Sequence, residues 1–229
     1  SQPRPDNAIY DLMEALQSIR AHEFPVAWNE TTIASMRAAG AVTPGELGAA
    51  MRRFAQRPGD RRAAAVLSRD PAYIGQIRTT CVATMLQGGH ADNALPQNAV
   101  ATVNCRIFPG VTVDAVQEEL QRLAGDRVAV APLADYWASP ASPLRDDVLS
   151  AVTRAVHANY PNVPITPGMS VGATDGVFFR GAGIPTYGVS ELFIKDSDDF
   201  AHGLNERLPV ATFYNGLTHW RVLLTELAS

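Results

Sequence analysis

At 229 residues, 46% hydrophobic and 18% charged, the sequence has the composition of a folded protein, long enough for one large domain or two small ones. A formal net charge of -4 with no stripe of Lys or Arg argues against nucleic acid as a partner, and Arg52-Arg53 and Arg61-Arg62 read as solvated helix faces. No apolar run approaches the roughly 20 residues that cross a bilayer, so no membrane partner is expected.

The opening stretch, SQPRPDNAIY, lacks the Met, basic region and apolar run of a signal peptide. It reads like the middle of a protein. Any targeting segment would lie upstream, which leaves cytoplasmic and periplasmic or secreted locations both open. After cap-type Asp6 and Asn7, the residues Ile9, Leu12, Met13, Leu16 and Ile19 recur at helical spacing and predict an amphipathic helix. From Thr31 to Pro71 the chain is rich in Ala and Arg, with breaks expected at Gly40, Pro44 and Pro58-Gly59, so short helices are predicted there. QIRTTCVATMLQ and NAVATVNCRIF are β-rich, and the connection GGHADNALPQ makes them an antiparallel pair.

Cys81 and Cys105 each lie twelve positions from Asn93. A hairpin centred on Asn93 would set them opposite each other and allow a cross-strand disulfide in an oxidising compartment. Two small buried thiols are the favoured reading. A helix follows, with Thr112 as its cap, Val113, Val116, Leu120 and Leu123 on one face and Gly125 as its stop. Then comes RVAVAPL, read as a strand. Helix, strand, strand, helix, strand lacks only a leading strand to complete a ferredoxin-like β-α-β-β-α-β unit.

The Pro/Ser-rich ASPASPLR marks the domain boundary, giving one domain at 1–138, with a helical insertion at about 31–72, and a second at 139–229. The second is predicted as a helix from Asp146 to Asn159, then strand, Gly-rich turn, short helix and strand. A last helix from about Pro209 to Leu227 has Phe213, Leu217, Trp220, Leu224 and Leu227 on one face. This is an α/β pattern with too few residues for a complete domain, and the missing part is expected on the N-terminal side.

Three stretches hold candidate chemistry. In DFAHGLNERLPV, His202 sits in a polar loop as a metal-ligating imidazole would, with Glu206 placed to hold its second nitrogen. A plain loop histidine beside a helix-capping Glu is the competing reading. In SVGATDGVFF, the residues Gly172, Thr174 and Asp175 form a tight turn before a helix, suited to a carboxylate or phosphate, or an ordinary capped helix start. In the hairpin, Asn93 suits a polarised carbonyl oxygen and Arg106 a substrate carboxylate, although turn former and surface charge are their commoner roles.

Together, NALPQNAVATVNCRIFPG, GATDGVFF and AHGLNERLPV resemble the peptidase M20 family of zinc exopeptidases and amidohydrolases, in order and over nearly the whole chain. The resemblance implies a ferredoxin-like lid, or dimerisation, domain followed by the C-terminal part of an α/β zinc-peptidase domain. It implies that His202 is a ligand of one of two zinc ions and that Glu206 supports it. By the same resemblance Asn93 reaches into the site, in dimeric members that of the partner subunit. Arg106 binds the substrate's terminal carboxylate, and the turn with Gly172, Thr174 and Asp175 contacts the same end. The implied activity is metal-assisted hydrolysis of an amide in a small peptide or N-acyl amino acid. The family's HxD motif, Glu-Glu pair and further acidic ligand are not in the sequence, so this chain alone is expected to be inactive and to hold no zinc tightly. A homodimer through the lid is implied, with a non-catalytic dimerisation module as the rival reading.

Overall fold

The computed structural model describes residues 4–133, 139–198, 200–201 and 203–229. It is a mixed structure of helices with, among the described residues, one small two-stranded sheet. The chain divides into two compact units, Ser1–Ala141 with Gly168–Ile184, and Ser142–Pro167 with Pro185–Ser229.

In the first unit, Asn7 has extended backbone and its side-chain oxygen accepts the amide hydrogens of Ile9 and Tyr10, starting α1 (Ala8–Ala21). The predicted insertion is a four-helix cluster: α2 (Glu30–Val42), α3 (Gly45–Gln56), α4 (Arg61–Leu67) and α5 (Pro71–Ile77). Asn29, Asp60 and Asp70 cap α2, α4 and α5, each accepting backbone amide hydrogens. Met36, Met51, Phe54, Leu67 and Ile77 are completely buried together at its centre. The break expected at Gly40 does not occur, and α2 runs through it to Val42. A Cβ on Gly40 would stand 3.0 Å from Met51 Cβ and from Arg52, so the glycine lets two helices approach rather than ending one.

β1 (Thr80–Gly88) and β2 (Ala99–Arg106) pair antiparallel from Thr80↔Arg106 to Gly88↔Ala99, with a bulge between Ala83 and Met85. Cys81 and Cys105 are directly opposed and joined in a disulfide. Their expected reading as buried free thiols is therefore corrected, because the register sets the two cysteines directly opposite each other, with their Cα atoms 4.1 Å apart. α6 (Val113–Ala124) begins at Thr112, whose hydroxyl oxygen accepts from the Ala115 amide, and stops at Gly125, at φ 72. α1 and α6 pack on each other, burying Leu12, Ala15, Val116 and Leu120, and α1 also packs on both strands.

The strand expected over Arg127–Leu133 does not form. Two Gln side chains of α6 take up its polar backbone instead: Gln121 donates to the Val128 carbonyl and accepts from the Val130 amide, and Gln117 donates to the Val130 carbonyl.

In the second unit, α7 (Asp146–His157) packs on α9 (Val210–Ala228) through Ala151, Ala155 and Leu223. The strands expected before and after the Gly-rich turn are not formed among the described residues; only α8 (Gly176–Gly181), grouped with the first unit, appears there. The apolar face predicted for the last helix is also reassigned. Thr212, Gly216, His219 and Leu223 are the buried residues of α9, whereas Phe213, Leu217, Trp220, Leu224 and Leu227 are exposed. Gly216 lies against Glu191 and the Thr212 hydroxyl donates to the Phe193 carbonyl, while the large apolar residues face outward.

Candidate functional site

The hairpin fixes two of the candidates. Asn93 lies in the turn between β1 and β2, and Arg106 is the last residue of β2, opposite Thr80. Both are exposed. The anchor beneath Arg106 is firm: Phe108 is buried and its amide donates to the Thr79 hydroxyl at 3.0 Å. With about 3.4 Å of rise per residue, roughly 24 Å of strand separates Ala99 from Arg106. The register thus sets Arg106 at one end of the ladder and the connection that carries Asn93 beyond the other, Gly88↔Ala99, end. Between them, on the strand face shared with Arg106, lie exposed Val82, Met85 and Val100.

Gly172, Thr174 and Asp175 form an exposed loop entering α8, in the first unit. Asp175 occupies the cap position, but its carboxylate makes no capping hydrogen bond; the turn closes through backbone bonds, Val177 N–H to the Thr174 carbonyl and Phe178 N–H to the Asp175 carbonyl. This leaves the Thr174 hydroxyl and the Asp175 carboxylate outside the helix cap. With six residues, α8 supplies little helix dipole, so an anion here would depend on the loop's own groups.

His202 lies outside the described residues. Its loop is nonetheless bounded in the second unit by Phe200 and Arg207, whose guanidinium carbon stands 3.5 Å over the Phe200 ring centre. Glu206 is exposed in the same loop, four residues before α9 begins at Val210, so it is not a helix cap. Sequence reading missed the Phe200–Arg207 clasp, for which an aromatic and an Arg bracketing a polar loop were the available signal. Among the described residues no group of three or more His, Cys, Asp or Glu side chains is placed to hold a metal ion.

A second feature of the unit, outside the predicted site, is His219. It is 1% exposed, and neither ring nitrogen has a hydrogen-bond partner. Burial pushes its pKa below the ordinary histidine value, with Glu191 opposing.

Comparison with known proteins places these features in a lineage. Residues 2–131 match the family model described as "Peptidase dimerisation domain". The chain is 34% identical over 152 residues to the N-fatty-acyl-amino acid synthase/hydrolase PM20D1 of Homo sapiens, covering 64% of this chain and 30% of that protein. Aminoacylase-1 of Homo sapiens is 30% identical over 155 residues, covering 64% and 36% respectively. An M20 family metallo-carboxypeptidase from Sulfolobus solfataricus has a similar fold, with a TM-score of 0.58 at 16% identity, over 96% of this chain and 52% of that one. The chain thus spans about a third of these curated relatives and about half of the solved structure.

Proposed function

The chain belongs to the M20 peptidase family, and from that premise we propose that it is the dimerisation domain and C-terminal catalytic portion of a metal-dependent hydrolase. The proposed substrate is an N-acyl amino acid or small peptide with a free carboxylate, and the bond cleaved is its amide. Relatives named as an N-fatty-acyl-amino acid synthase/hydrolase and an aminoacylase put the acylated amino acid first.

The observation that carries the reading is the outward apolar face of α9. Phe213, Tyr214, Leu217, Trp220, Leu224 and Leu227 are too large and too contiguous for an ordinary solvated surface. We take them as one wall of a catalytic domain whose other layers come from the remaining length seen in the relatives. In this reading His202 is one ligand, Glu206 holds it in orientation, and the other ligands of two zinc ions lie in the rest of the complete protein. The lid is read as a ferredoxin-like unit over residues 1–138, completed by that remaining length, with 139–229 as the catalytic portion.

Arg106 receives the substrate carboxylate as a planar, charge-assisted fork. Thr174, with Gly172 and Asp175 shaping its loop, contacts the same end, and Asn93 donates to the amide carbonyl as charge builds on its oxygen. The roughly 24 Å of strand below the hairpin turn far exceeds the span between the carboxylate and amide carbonyl of an acylated amino acid. A site using both Asn93 and Arg106 therefore draws them from two copies, which supports a homodimer through the dimerisation domain. The Cys81–Cys105 disulfide supports an oxidising compartment.

The test is complementation in the complete protein. Asn93→Ala and Arg106→Ala each abolish hydrolysis of N-acyl amino acids, and mixing the two variants restores about a quarter of wild-type activity, because half the dimers carry one intact site. No recovery on mixing places both residues in one chain's site. The isolated chain is expected to hydrolyse nothing and to retain no stoichiometric zinc after dialysis. A complete protein that dimerises without hydrolysing any such substrate would instead be a non-catalytic dimerisation module.

A further inference from the structure

The loop that carries Gly172, Thr174 and Asp175 is seated on the helical insertion, within the first unit. Two separate contacts hold its leading residues. A Cβ built on Gly75 of α5 would lie 2.6 Å from Val171 Cγ1 and 3.2 Å from Val171 Cβ, so Val171 fills the space that any other residue at position 75 would claim. Two residues earlier, Met169 Sδ stands 4.0 Å from the Asn29 side-chain nitrogen.

Both supports are fixed from behind. Asn29 Oδ1 accepts from the amide of Thr32 at 2.9 Å and lies 3.1 Å from its hydroxyl. Thr32 is completely buried, and its hydroxyl also lies 3.4 Å from the Gln76 carbonyl oxygen, beside Gly75. The Ala27 amide donates to the Ile77 carbonyl at 2.8 Å, and Ile77 belongs to the insertion's core. The entry to α2 and the end of α5 are therefore one rigid surface, and the loop rests on it.

We propose that Gly75 and Asn29 are positioning residues: the insertion is a wall that seats Met169 and Val171 and so sets where Thr174, three residues on, meets the carboxylate end of the substrate. This rests on reading that loop as substrate-binding. The insertion then tunes substrate affinity without touching substrate, and its effect falls on KM, since the carboxylate end is remote from the bond that breaks.

Gly75→Ala isolates the seat. Alanine favours a helix over glycine, so α5 itself is not weakened, while the added methyl meets Val171. Val171 is 39% exposed, so trimming it does not hollow the core. In the complete protein, Gly75→Ala is expected to raise hydrogen exchange over residues 168–176 and to raise KM for an N-acyl amino acid about tenfold with kcat retained. Adding Val171→Ala removes the colliding Cγ1 and is expected to restore both.

Unchanged exchange in Gly75→Ala overturns the seat. Raised exchange with unchanged KM overturns the link to substrate. A fall in kcat alongside the raised KM, with neither rescued by Val171→Ala, marks a general packing fault and overturns the positioning role. A complete protein with no hydrolytic activity overturns the proposed function, and the exchange pattern then decides the seat by itself.

Discussion

The helical insertion of the first unit and α9 of the second are both built from amphipathic helices, yet they dispose of their apolar residues in opposite ways. In the insertion, Phe54, Met36, Met51 and Leu67 reach complete burial among themselves. In α9 the large residues of the predicted stripe face outward, and the helix meets Ala151 and Ala155 of α7 through Leu223. Four helices of 7 to 13 residues suffice to surround a core, whereas one helix packed on another leaves most of each surface uncovered. An apolar stripe states that a face is to be covered; it does not state by what.

The sharpest test of this contrast pairs two phenylalanines. Phe54, 0% exposed, is expected to cost about 3–5 kcal/mol of unfolding free energy when replaced by Ala. Phe213, 53% exposed, is expected to cost less than about 0.5 kcal/mol in this chain and, on the proposal that further chain covers its face, several-fold more in the longer protein. Denaturant titrations of both variants in both lengths measure the four values. Equal small losses at Phe213 in both lengths would remove the idea that α9 is an interior wall.

Next in size is the hairpin, which has exposed Val82, Met85, Leu86 and Val100 and little core of its own. Its staple closes a loop across a sequence separation of 24. Replacing Cys81 and Cys105 by Ser is expected to remove about 3 kcal/mol from the first unit. Reduction of the parent should reproduce the loss, and a Cys-free variant as stable as the parent would show that the strands hold without it.

The smallest effect concerns His219. Its folded-state pKa is lowered by burial, so the unfolded chain binds the extra proton more readily. Stability of the second unit is therefore fully present above the ordinary histidine value of about 6.5 and is lost as pH falls from there toward the lowered folded value. His219→Leu is expected to flatten that slope in denaturation curves taken between pH 5 and 7. A slope that persists in the variant assigns it to other groups.

Local signals in the sequence carried far. Asn7, Thr112 and Gly125 set helix ends as cap chemistry requires, and the β-branched runs about Asn93 paired with Cys81 opposite Cys105. The order of the hairpin, the Gly-Thr-Asp turn and the His202 loop was enough to point to the M20 family, with the roles of Asn93, Arg106 and His202 standing as proposals. Residues that act through space were not legible. Gly40 looked like a break because its neighbour Met51 lies eleven residues away, and nothing local links Gly75 to Val171. The strand expected at Arg127–Leu133 was displaced by two Gln side chains satisfying its backbone.

The sequence by itself determined which segments are helical, where the capped ones start, and which stripes are apolar, since caps and periodicity act over three or four residues. Only the tertiary structure decided which stripes are buried, that the two cysteines join, and that the Gly172–Asp175 loop rests on the insertion. Those outcomes depend on steric fit between residues distant in the chain, and no local pattern encodes that fit.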